Sequence, residues 1–203
     1  MHGIVMNQFR QFVVERLGRD GWRELAEAAG VPPEPFEIGR IYPDQALGAL
    51  VAEASRRTGE EADALVEAFG VFIAPALLRV YEPLVDPAWR TLDVIEHTEA
   101  VIHTVVRARM PGAAPPLLDT RREAPDRVVI DYRSPRRLCA LATGIARGLA
   151  LHFGETVEIG QAECMHAGDP RCLITVRRTA GAPDGFVPAP LARPHADADA
   201  AEG

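Results

Sequence analysis

Between Met110 and Leu118 the chain reads MPGAAPPLL, and three prolines and a glycine within nine residues forbid a helix from running through. The break separates two kinds of sequence. Upstream, Phe9, Phe12, Val13 and Leu17 recur at three- and four-residue steps and mark an amphipathic helix from Asn7 to about Gly18. A short helix through Leu25 and Ala28 follows, then the proline-rich connection GVPPEPFEIGRIYPD, after which Asp44 is expected to cap a helix reaching Arg57. Two more helices are expected over about 60–81 and 88–109. Downstream, DRVVIDY, ETVEIGQAEC and RCLITVRR cluster or alternate β-branched residues over strand lengths. Between the first two lies PRRLCALATGIARGLALHFG, which reads as a helix of roughly five turns ending at Gly154. An N-terminal helical subdomain followed by an antiparallel sheet with a crossing helix is an α+β fold.

At 203 residues and 47% hydrophobic, the chain can bury the core of one domain, expected over residues 1–178. Residues 179–203, rich in Ala, Pro and Asp with little to bury, are expected to form a disordered tail. The formal net charge of -7 argues against nucleic acid, whose binders carry concentrated basic surface. No apolar run approaches the roughly 20 residues of a membrane helix, and MHGIVMNQFRQF lacks the layout of a signal peptide. The expectation is a cytoplasmic protein with no membrane partner. No nucleophile-base spacing or phosphate-cradling glycine loop stands out, so the chain does not read as an enzyme.

The stretch VVIDYRSPRRLCAL, from Val128 to Leu141, ends an apolar strand with Tyr132, Ser134 and Arg136 at alternate positions. Tyr132 and Ser134 fall on one side of a strand. Ser134 followed by Pro135 reads as a helix N-cap and first helical residue, with Arg136 in the first turn. A phenol, a hydroxyl, a guanidinium and unpaired helix amides would all donate to one spot, which suits a carboxylate. An ordinary N-cap beside a surface arginine and a half-buried tyrosine fits the same residues. Upstream, AWRTLDVIEHTEAVIHTVVRARM carries His97 and His103, and a neutral helical imidazole facing an interior is a common heme ligand. Periodicity does not choose between the two.

Taken together these stretches resemble the heme nitric oxide/oxygen binding domain, the heme module also found in soluble guanylate cyclase. The resemblance runs from MHGIVMNQFRQFV through EAFGVFIAPALLRVYEPLV and HTVVRARMPGAAPPLL to YRSPR and the final strands, leaving only the tail outside. It implies heme b buried between the helices and the sheet. Its Tyr-x-Ser-x-Arg motif assigns Tyr132, Ser134 and Arg136 to the propionates, its proximal ligand falls at His103 with His97 as runner-up, and its porphyrin-distorting proline falls at Pro116. Oxygen-binding members place a tyrosine where Leu141 stands. With Val5, Phe9 and Ile145 as neighbours, the distal pocket is expected to be entirely apolar, binding nitric oxide and carbon monoxide while excluding oxygen. Nitric oxide would weaken the bond to His103 and free its helix.

Three cysteines in a reducing compartment suggest thiol or metal chemistry rather than disulfides. Cys139, Cys164, His166 and Cys172 could complete a tetrahedral zinc site. Family members with such a site carry histidine where this chain has Gln161, so His166 would have to substitute. The leading expectation is a stand-alone gas sensor regulating a separate signalling enzyme, such as a histidine kinase or a cyclic-dinucleotide enzyme. The alternative is a small-molecule or zinc/thiol redox sensor without heme.

Overall fold

The computed structural model describes residues 1–179. Apart from Thr179, the expected disordered tail lies outside the described residues. The helical half begins with α1 (Gly3–Ala28), interrupted at Gly18, whose φ of 77° and ψ of 175° are open to glycine at little cost. The two helices expected here are thus one element with a kink. Met6, Phe9, Phe12, Val13, Trp22 and Leu25 point inward from it. Phe9 is fully buried edge-on to Phe69, with ring centroids 5.1 Å apart, a pairing worth roughly 0.5–1.5 kcal/mol beyond area burial.

Helix α2 (Asp44–Thr58) starts where the pattern predicts, but Asp44 does not cap it. The Asp44 carboxylate instead reaches the Met1 nitrogen at 2.6 Å and Arg136 Nε at 2.8 Å. A charged partner outcompetes a neutral backbone amide for a carboxylate.

Helix α3 (Ala62–Tyr81) packs along α6 (Cys139–Phe153) with almost no space between backbones. A Cβ on Gly144 would stand 2.0 Å from Glu67 O, and one on Gly148 would stand 2.7 Å from Ala74 Cβ. The helices can cross this closely only because these positions carry no side chain. The segment Ala62–Leu84 is long and apolar enough to cross a membrane, contrary to the reading that no run approaches that length. Its buried positions Phe69, Ile73, Ala74 and Ala76 are spent inside the fold.

The expected helix over 88–109 is continuous but not uniform: α4 (Thr91–His97) passes into a π-helical segment, Thr98–His103, and then into α5 (Thr104–Arg109). Past the proline break come β1 (Leu117–Ala124), β2 (Arg127–Arg133), β3 (Thr156–Glu163) and β4 (Cys172–Thr179), a wholly antiparallel sheet in the order β1-β2-β4-β3. The architecture is the expected α+β one. Strand β1 had no counterpart in the sequence reading, because its DTRREA run is too charged to signal a strand. It forms as an edge strand on β2, with alternate residues half-buried.

Helix α6 ends at Gly154 in the left-handed conformation, as expected, but begins at Cys139 rather than Pro135. Arg137 has φ of 53°, a value incompatible with a helix through it. Two apolar clusters result. One joins α1, α2 and α3, the other joins α4, α6 and the sheet face of Val128, Ile130, Ile174 and Val176, and Ile145 touches both.

Candidate functional site

Between the two clusters lies a partly enclosed cavity. Its walls are Ile4 and Val5 of α1, Ala74, Leu77, Leu78 and Tyr81 of α3, Val94 and Ile95 of α4, and Leu141, Ala142, Ile145 and Leu149 of α6. Pro115, Pro116, Ile130 and Tyr132 close it from the side of the sheet. Of the expected pocket residues, Val5, Pro116, Leu141 and Ile145 line this cavity. Phe9 does not: its edge-on packing against Phe69 holds it in the helical core behind Val5. Nor is the lining wholly apolar. His2 and Tyr81 contribute to it, although the His2 ring is engaged, with Nδ1 accepting from the Ile4 amide at 3.1 Å and Nε2 3.0 Å from Met110 Sδ.

His103 lines the cavity at the end of the π segment, its side chain 15% exposed. Single-turn π segments interrupt helices at functional positions more often than elsewhere. Burial pushes the His103 pKa down, and the hydrogen bond to Glu99 only partly offsets this, so the ring is a neutral, ligand-competent imidazole. Nδ1 lies 2.9 Å from Glu99 Oε2. A carboxylate can only accept, which puts the proton on Nδ1 and the lone pair on Nε2. His97 is elsewhere. It stacks on Trp89, with centroids 4.5 Å apart and planes 18° off parallel, its Nδ1 is 2.8 Å from the Asp93 carbonyl, and it does not line the cavity.

Tyr132, Ser134 and Arg136 converge on the cavity rim, though not at a helix N-terminus. Residues 134–137 form a turn in which Ser134 Oγ accepts from the Arg136 amide at 3.2 Å and the Ser134 carbonyl from the Arg137 amide at 3.1 Å. The amides expected to join the clamp are used inside that turn. Burial pushes the Tyr132 phenol up to about 12, outweighing its hydrogen bonds to Ser134 and the Leu138 backbone, so it stays a neutral donor. Arg136 is mostly buried, with 18% of its side chain exposed. Nη1 donates to the Ala114 carbonyl and Nε sits in ion-pair contact with Asp44, whose pKa is lowered because this pairing and the Met1 nitrogen outweigh its burial. Nη2 has no protein partner among the described residues.

The three cysteines meet where α6, β3 and β4 converge, behind the clamp strand: Cys172 pairs in register with Tyr132. All three Sγ atoms lie within 4.8 Å of one another, with Cys139 and Cys164 at 4.0 Å. Two thiolates on one tetrahedral zinc sit ~3.8 Å apart, so the spacing fits. Burial and neighbouring Cys172 push the Cys139 thiol up to about 12, burial raises Cys172, and at Cys164 backbone donors outweigh burial and lower it. His166 is not brought to this group. Its Nε2 is spent on the Arg137 carbonyl at 2.7 Å, while the side chain of Gln161 bonds to the Cys139 thiol.

A model of the Haem-NO-binding family matches residues 2–161. The chain belongs to the Haem-NO-binding family. Among solved structures, the H-NOX protein from S. oneidensis in its Fe(II)NO state is similar with a TM-score of 0.83 and 26% identity, over 89% of this chain and 100% of that one. The H-NOX domain from Shewanella oneidensis in its Fe(II)CO state follows at 0.80, 26%, 89% and 100%. Soluble guanylate cyclase 89Db of Drosophila melanogaster is 24% identical over 162 residues, 79% of this chain. The chain spans 23% of the length of that cyclase.

Two residues of this Haem-NO-binding domain were not found by sequence reasoning. Asp44 reaches Arg136 across ninety-odd positions of chain, a pairing with no local signature. Glu99 had one: it precedes His103 by four residues on a helix, the spacing at which side chains meet.

Proposed function

We propose that this Haem-NO-binding domain is a cytoplasmic gas sensor that holds ferrous heme b in the cavity, binds nitric oxide and carbon monoxide, excludes oxygen and regulates a separate signalling enzyme. One observation carries the reading: a single cavity is bounded at one side by a half-buried neutral imidazole whose Nδ1 is held by Glu99 and at its rim by a surplus of hydrogen-bond donors. A ligand with both a metal and carboxylates satisfies both ends. His103 would ligate the iron, and Tyr132, Ser134 and Arg136 Nη2 would take the propionates, each charge-assisted bond contributing about 1.5–3 kcal/mol. When bound, the iron supplies a coordination position open to a diatomic gas. Pro116 would press on the ring. The π segment ending at His103 is the part of the helix that can tighten once that side chain lets go, which makes it the element a partner would read.

Exclusion of oxygen rests on Leu141, which cannot donate to a polar bound ligand, and on its apolar neighbours Val5 and Ile145. Ferrous protein exposed to air is expected to show no oxygen complex, whereas Leu141→Tyr gains one, read by absorbance. An oxygen complex in the unaltered chain that vanishes in Tyr81→Phe would contradict this and assign the donor to Tyr81.

The cysteine triad supports a second, structural role as three ligands of zinc. Its fourth position is flanked by Gln161 instead of histidine, so the metal is expected to be held loosely. Elemental analysis should find zinc in the native chain, removable by mild chelation and absent from Cys172→Ser, with the heme spectrum unchanged. Protein free of zinc as purified assigns the three sulfurs to free thiols.

A further inference from the structure

The residue behind His103 is more heavily engaged than a surface carboxylate needs to be. Glu99 Oε2 accepts from His103 Nδ1 at 2.9 Å and from the Leu118 amide at 3.2 Å, while Oε1 pairs with Arg107 Nη2. Three elements therefore converge on one carboxylate: the π segment, α5 and the start of β1. We propose that Glu99 is a positioning residue that accepts the Nδ1 proton of His103, fixes the ring with Nε2 toward the cavity and strengthens its bond to iron.

The inference deepens the heme reading and rests on it. An imidazole whose far N–H is held by a carboxylate is a more basic ligand than one held by a neutral carbonyl, and such partners fix both tautomer and ring orientation. Arg107 moderates the effect by drawing charge from the same carboxylate. The backbone carbonyl of Pro116 also faces the His103 ring and is the rival acceptor. With Pro116 as the acceptor, substitutions at Glu99 would leave the iron–histidine bond unchanged. The Glu99 carboxylate also spans from the ligand helix to β1 through Leu118, so movement of His103 would be felt at the sheet edge.

Resonance Raman spectra of the ferrous, heme-loaded full chain read the iron–histidine stretch directly. Glu99→Gln is expected to lower its frequency and Glu99→Leu to lower it further, with heme transfer to an acceptor protein roughly tenfold faster in Glu99→Leu. Arg107→Gln leaves the carboxylate less compensated and is expected to raise the frequency, a shift that a merely structural Glu99 does not produce. It also decides the matter should the Glu99 variants fail to fold. An unchanged stretch in Glu99→Gln, or no upward shift in Arg107→Gln, overturns the proposal and leaves the heme reading intact. A native chain that takes up heme without any iron–histidine band overturns both.

Discussion

A His103→Ala chain is expected to lose the spectrum of imidazole-ligated ferrous heme, and added free imidazole should restore it. His97→Ala should leave it unaltered. The difference follows from what each ring is already doing. His103 is half-buried at the cavity wall, is kept neutral by that desolvation, and offers Nε2 because Glu99 occupies Nδ1. His97 is packed flat against Trp89 and held at Nδ1 by the Asp93 carbonyl, outside the cavity. On the proposed ligation, losing this ring removes the protein's bond to the metal, so the expected effect on the spectrum is complete rather than graded. Rescue by imidazole, which refills the space left by the ring, separates loss of a ligand from loss of the fold.

Gly144→Ala is expected to destabilise the fold strongly. The new Cβ would stand 2.0 Å from Glu67 O and 2.8 Å from Gly70 Cα. Both are backbone atoms that cannot rotate aside, so α3 and α6 must separate. Overpacking usually costs about 1–3 kcal/mol, and this case belongs at the upper end. For a domain of this size about 3 kcal/mol lowers Tm by roughly 6–12 °C in a thermal melt. The cavity should suffer too, since Leu141 and Ile145 flank Gly144 and line it. Gly48→Ala is the control: it lies on the exposed side of α2 with nothing within 4 Å of the new methyl. Helix propensity there favours alanine by up to about 1 kcal/mol. Equal Tm values for the two variants would contradict the close α3–α6 crossing.

The sequence showed the helices best where periodicity was long, as in α3, and the strands best where β-branched residues clustered, as in β2 and β4. It hid β1 because an edge strand can be highly charged, its pairing supplied by a neighbour rather than by its own composition. The Tyr-x-Ser-x-Arg spacing marked three residues that meet at the cavity rim, yet their local structure is a turn and not the expected helix start. Serine before proline favours a helix start, and the left-handed Arg137 turned the chain instead. Partners distant along the chain were the hardest to see. Asp44 looked like a cap because nothing near it announced Arg136, and His166 looked like a zinc ligand because composition cannot show that its ring is spent on a backbone carbonyl. The π segment left no trace in the apolar pattern, since it shifts the helix by less than one turn.

Titration of the apo chain with hemin, followed by reduction and addition of nitric oxide, tests the central claim most directly. One equivalent should saturate a Soret band distinct from that of free heme, and nitric oxide should shift it. Absorbance that only adds the spectrum of unbound heme, with no saturation, would contradict the account.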